Sequence, residues 1–180
     1  MTDKPYSFVV VKYKGRKTAG EAIETLKTLE HDGAVEIRDA VAVYKNDRGK
    51  VKLVQSKGAT GGKGSMVGGS AGLLVGLLLG GGPVALAMLG ALAGGAAGKW
   101  LDTGIKDKIA KQLGDELARD DSALCVLVRN LDWPRVEALM QAHGGQILVA
   151  DLTDDVVRTL AELAENEEIS ATLADLIVNS

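Results

Sequence analysis

The sequence predicts an α+β protein in which a single sheet-and-helix domain is cut in two by a helical hairpin. Three observations carry this. Apolar, β-branched runs alternate with stretches of helical periodicity on both sides of the centre of the chain. The central window 64–98 contains no charged side chain, although Lys63 and Lys99 close it on either side. Within that window two runs of glycine recur at intervals of four, 64–80 and 90–98. The chain accordingly divides into residues 1–60 (first half of the domain), 61–99 (glycine-zipper hairpin), 100–152 (second half) and 153–180 (helical tail).

Residues 6–13 (YSFVVVKY) are β-branched and aromatic and predict a strand. Thr18 opens a helical pattern in which Ala22, Ile23, Leu26 and Leu29 share a face, and His31-Asp32-Gly33 closes it. Two strands follow over 35–44 and 51–56. The polar turn between them carries Gly49, which can take the positive φ such connections need.

The central window is too long for one straight crossing of a bilayer. Its 35 residues would make a rod of about 52 Å, against a hydrocarbon core of roughly 30 Å. The run Gly80-Gly81-Gly82-Pro83 breaks it, predicting helices over 65–79 and 83–98, each roughly 24 Å long. Gly64, Gly68, Gly72, Gly76 and Gly80 form one ridge, and Gly90, Gly94 and Gly98 form the other. A ridge without Cβ atoms lets a second backbone approach closely, the packing mode of small residues in membrane helices. Leu74 and Leu78 fall about 200° around the helix from the ridge, facing lipid or a partner. In water, each interior glycine would cost roughly 0.5–1 kcal/mol, so the pattern calls for a bilayer or a dense assembly.

Beyond the window, residues 100–118 predict an amphipathic helix with Ile105, Ile109, Leu113 and Leu117 four apart. Residues 122–129 (SALCVLVR) predict a strand, 133–143 a helix, and 146–152 (QILVADL) a last strand. The order βαββ, insertion, αβαβ suits a split ferredoxin-like sandwich with the helices on one face of a mainly antiparallel sheet. Short amphipathic helices over 153–164 and 169–178 make a tail that packs on its own domain or docks a neighbouring subunit.

These features resemble a family of uncharacterised bacterial proteins described only as predicted membrane proteins of unknown function. The resemblance is carried by the strand Phe8–Tyr13, the strand and hairpin Val35–Lys45 and the glycine-rich segment 61–98, over roughly residues 6–155. It implies membrane association and brings no catalytic residues.

Composition narrows the function. With 21 Lys and Arg against 24 Asp and Glu, the net charge of −3 argues against a nucleic-acid partner. Cys125 is the single cysteine, so neither an intramolecular disulfide nor a CxxC metal site can form. It reads as a small core residue. His31 and His143 stand near helix C-termini, where imidazole meets the last carbonyls. Asp151, Asp154 and Asp155 surround the start of a helix capped by Thr153, whose first turn favours acids. The stretch 58–64 (GATGGKG) lacks the spacing and the hydroxyl of a phosphate loop. No catalytic residue, metal site or cofactor is expected.

The N-terminus lacks the features of a secretory signal. Lysines and arginines on both flanks of the window favour cytoplasmic placement of both termini. The expectation is a non-enzymatic, self-associating, membrane-linked scaffold. A pore or transport oligomer is one alternative, although only Ser65 and Ser70 offer polar lining. A cytoplasmic soluble homo-oligomer with the hairpin buried between subunits is another.

Overall fold

The computed structural model describes residues 6–54, 111, 115–129, 132–152, 154, 157, 158 and 162. The glycine ridges (Gly64, Gly68, Gly72, Gly76, Gly80, Gly90, Gly94, Gly98), Leu74 and Leu78 lie outside them. So does the second tail helix expected over 169–178.

Among the described residues, five strands and two complete helices follow one another as β1 (Tyr6–Tyr13), α1 (Thr18–His31), β2 (Glu36–Lys45), β3 (Val51–Leu53), β4 (Ser122–Arg129), α2 (Trp133–Ala142) and β5 (Gln146–Leu152). The protein is thus α+β. Its one sheet has the order β3-β2-β4-β1-β5, and every neighbouring pair is antiparallel. Strands from both sides of the central window therefore share a single sheet. β4 lies between β1 and β2, so those two run parallel to each other with one strand separating them.

The middle position of β4 explains its sequence. A strand covered on both faces loses polar alternation and becomes a continuous apolar run. Ser122 through Val128 are all buried, as are Phe8, Val9, Val10 and Val11 of the neighbouring β1. On one face Val9, Val11, Leu124, Val126 and Val128 pack with Ala22, Ile23, Leu26 and Leu29 of α1 and with Val136 and Met140 of α2. Each large side chain so buried contributes about 1.5–3 kcal/mol. On the other face Phe8, Val10, Cys125 and Leu127 are equally buried, and they align across the ladder as Phe8 opposite Leu127 and Val10 opposite Cys125.

The ends of α1 are set by chemistry the chain supplies in two ways. At its C-terminus Gly33 takes φ +72°, its N–H donates to Glu30 C=O (3.0 Å), and Ala34 N–H donates to Leu29 C=O (2.9 Å). That pair of bonds is a Schellman closure, and the left-handed residue in it favours glycine. At its N-terminus Lys17 supplies no side-chain cap. The Ala19 N–H instead donates to Ser122 Oγ (3.0 Å), on β4.

The β2–β3 turn is organised by Asn46. Its Oδ1 accepts from Arg48 N–H (3.0 Å) and Lys50 N–H (2.9 Å), while Gly49 takes φ +76°. β3 leaves the ladder after Leu53, earlier than the 51–56 strand expected, although Val54 N–H still donates to Ala42 C=O (2.8 Å).

The helix expected over 100–118 needs a correction at its C-terminal end. Lys111 is helical, but Asp115–Ala118 are not. The N–H groups of both Asp115 and Glu116 donate to Lys111 C=O (2.9 Å each), a closing turn that ends helical progression. Leu117 keeps the four-residue spacing and is buried, yet it stands outside the helix. In the tail Asp154, Val157, Arg158 and Glu162 are helical, and Val157 is buried. Among the described residues, no helix is long and apolar enough to cross a membrane.

Candidate functional site

β3 and β4 both run antiparallel to β2 and are therefore parallel to each other, so the chain leaves β3 heading toward the end of the sheet where β4 finishes. Val54 is level with Ala42, Ala42 pairs with Leu124, and the chain re-enters the sheet at Ser122 opposite Tyr44. β3 and β4 flank β2, so Val54 and Ser122, near the end of the sheet where β4 begins, are separated by two strand spacings and a two-residue stagger, about 12 Å.

Three loops meet at this end: residues 14–17 after β1, 46–50 after β2 and 115–121 before β4. Arg16 ties them together. Its Nε donates to Asp120 Oδ1 (2.7 Å), its terminal nitrogen contacts Asp47, and its guanidinium lies 5.1 Å from the Tyr44 ring centroid. The hydrogen bond to Asp120 drives the Arg16 pKa above its ordinary value, and the charges of Asp120 and Asp47 act in the same direction. Asp120 itself adopts φ +64°, a conformation side chains rarely take. Its N–H donates to Lys45 C=O (2.8 Å), and Lys45 N–H donates to Asp121 C=O (3.0 Å).

Ser122 completes the junction. Fully buried, its hydroxyl donates to Gly15 C=O (2.6 Å) while accepting from Ala19 N–H. Gly15 N–H donates to Asp121 Oδ1 (3.1 Å). Beside the junction is an open cavity of about 190 Å³ lined by Lys12, Tyr13, Lys14, Glu116, Asp121 and Gln146 among others, with Lys12 Nζ 3.1 Å from Glu116 Oε2.

A second polar group occupies the opposite end of the sheet. The Arg129 guanidinium lies 4.0 Å from the Tyr6 ring centroid and 3.4 Å from Asp154 Oδ1, and Arg38 approaches the same ring at 5.8 Å. Asp151 accepts from Ser7 Oγ (3.1 Å). Asp155 lies outside the described residues.

These arrangements hold loops and strands together. Among the described residues, no group of three or more His, Cys, Asp or Glu side chains could hold a metal ion. His31 is the last residue of α1, and His143 follows α2 with its ring edge-on to Tyr13 at 6.2 Å. Burial pushes the Cys125 thiol up to about 12 and raises the Tyr13 phenol as well, so neither ionises near neutrality. Tyr13 directs its hydroxyl to Met140 sulfur (2.9 Å).

The residues singled out from sequence, the two glycine ridges with Leu74 and Leu78, fall outside the described residues, as does the stretch 58–64. The residues that the fold does bring together, Arg16, Asp47, Asp120 and Ser122, carry no local signal. Arg16 stands in a lysine-rich turn and Ser122 opens an apolar strand; only their pairing across more than 100 residues distinguishes them.

Fold and junction define a class: an α+β protein with, among the described residues, one antiparallel sheet completed by strands from both sides of a long central segment. The chain matches the family described as protein of unknown function (DUF1269) over residues 65–165, more than half of its length, and it belongs to that family. The match opens inside the glycine-rich window and runs through β4, α2 and β5. No curated protein and no solved structure matches the chain.

Proposed function

We propose that the protein is a non-enzymatic, self-associating scaffold, linked to a membrane by a glycine-zipper hairpin formed within residues 64–98. In this reading the α+β domain is a split ferredoxin-like unit with β3 as an added edge strand. Support for that comes from the order β5-β1-β4-β2 and from the β1–α1–β2 connection that passes over β4.

The observation that carries the proposal is the nearness of Val54 and Ser122 across β2. Val54 and Ser122, the described positions on either side of it, are about 12 Å apart, which suits a segment that doubles back. A single 35-residue rod would carry its far end about 52 Å away. Two helices with side-chain-free ridges supply the close packing a tight return needs. Lysines at both flanks then keep both ends on the cytoplasmic side. The tail offers a further surface for a neighbouring subunit.

The test is flotation of the purified full chain with liposomes, alongside sizing of Gly72→Leu and Gly76→Leu. Co-flotation and a smaller assembly in both variants, with unchanged circular dichroism from the α+β domain, are expected. A protein that stays with the soluble fraction would sink the membrane link, and native mass in both variants would sink the zipper.

A further inference from the structure

Positive charge is concentrated where the three loops meet. Residues 12–17, 45–52, 111 and 115–121 form or border that end of the sheet and hold ten Lys and Arg against five Asp and Glu. The whole chain carries −3, so its remaining residues carry −8. Much of the acid at the loops is held internally: Asp47 and Asp120 contact Arg16, and Glu116 contacts Lys12. Lys14, Lys17, Arg48, Lys50 and Arg119 are all exposed, and none of them has an ion pair among the described residues. They come from three stretches of chain that only the fold brings together. The acidic stretch 153–180, with seven acids against one arginine, starts from the opposite end, where β5 finishes beside the start of β1 and Asp154 contacts Arg129.

We infer that this basic end is a docking surface for an anionic membrane, its five exposed cations meeting phospholipid headgroups. The inference builds on the membrane link proposed above but places the contact on the folded domain, not on the hairpin. The geometry of the charge favours a flat partner. Tyr6 and Tyr13, at the two ends of β1, are about 23 Å apart. That separation exceeds the screening length of roughly 8–10 Å at physiological salt. A planar anionic surface therefore attracts the basic end while the acidic far end stays outside its field.

Other polyanions and protein partners fit less well. Single-stranded nucleic acid binds on exposed aromatic platforms. Here Tyr13 is buried and Tyr44 is covered by Arg16. Protein partners grip buried apolar anchors. Among the described residues the exposed large hydrophobic is Val149, which stands in the middle of β5 and away from the loops. What the basic end presents is flexible charge with no anchor, the complement of a headgroup layer.

The test is partition of the full chain onto vesicles of phosphatidylcholine alone and of phosphatidylcholine with about one third phosphatidylglycerol, at low and high salt. Each Lys or Arg near an anionic surface contributes about fivefold in partitioning. Lys14→Gln/Lys17→Gln/Lys50→Gln is therefore expected to lose about 100-fold on the anionic vesicles at low salt and to match the parent on neutral ones. The control Lys27→Gln/Arg38→Gln/Arg135→Gln has the same net charge but removes cations from α1, from beside Tyr6 and from beside Asp32. It is expected to stay within about threefold of the parent. High salt should erase the parent's preference for anionic vesicles. Equal losses in the two triple variants, no preference for anionic vesicles, or equally tight binding of duplex DNA at the same phosphate concentration would each overturn the inference. A chain that binds both kinds of vesicle alike keeps the hairpin and loses this surface. One that ignores neutral vesicles, yet binds anionic ones through Lys14, Lys17 and Lys50, loses the inserted hairpin and keeps it.

Discussion

Cys125 sits at the middle of the second sheet face, opposite Val10 and Val41, with no solvent exposure. Removing water from a thiol penalises the thiolate and leaves the neutral form as it was, which raises its pKa from an ordinary 9 to about 12. The stability this contributes is fully present below the pKa of the unfolded chain. It declines as pH climbs from about 9 toward 12, because only the unfolded chain then releases the proton. Tyr13, raised by the same cause, adds to the loss above pH 10. Urea titrations between pH 8 and 10.5 should therefore show the parent losing about 1.4 kcal/mol per pH unit above 9 that Cys125→Ala does not lose. Parallel profiles for the two proteins would mean that the thiol is not desolvated.

At the scale of elements, α1 shows what a sequence can and cannot reveal. Its C-terminal closure is written locally in His31-Asp32-Gly33, and the strands β1, β4 and β5 are legible because apolar β-branched runs of seven or eight residues have few other uses. Its N-terminal cap is not legible, since the acceptor is Ser122, which is 103 residues away from Ala19. The same holds for Arg16 and Asp120. Leu117 shows the opposite error: spacing of four from Leu113 extends the expected helix, while burial at that position is reached without helical geometry. The order of strands in the sheet has no local trace at all. Because Ser122 both accepts from Ala19 and donates to Gly15, Ser122→Ala strips two partners in a fully buried setting. It should cost about 1–2 kcal/mol in urea denaturation. A change below a few tenths would show that water or another group replaces the hydroxyl.

For the molecule as a whole, the central segment is topologically an insertion between two strands that flank β2. Exchanging residues 61–99 for a short Gly/Ser linker should leave the sheet intact, since β3 and β4, the described strands on either side, lie only two strand spacings apart. Shortening a closed loop changes its entropy slowly, by about 0.6 kcal/mol per halving, so stability of the shortened chain should fall within about 1 kcal/mol of the parent. Circular dichroism and a urea midpoint check this. A molten or aggregated product would mean that the segment is itself part of the core. The glycine ridges, Leu74 and Leu78 remain readable only from sequence, because spacing of small residues identifies a packing surface without naming what packs on it.

The placement of β4 between β1 and β2 also fixes an order of events during synthesis. β3 ends at Leu53 and β4 ends at Arg129, so 76 residues must be added before the slot can be filled. At about 5–20 residues per second, β1 and β2 are made roughly 4–15 s before the strand that lies between them is complete. Within that interval the whole glycine-rich stretch is translated. Whatever receives that stretch therefore meets it before the sheet can close, and chaperones that shield bare strand edges have their window of action in the same few seconds.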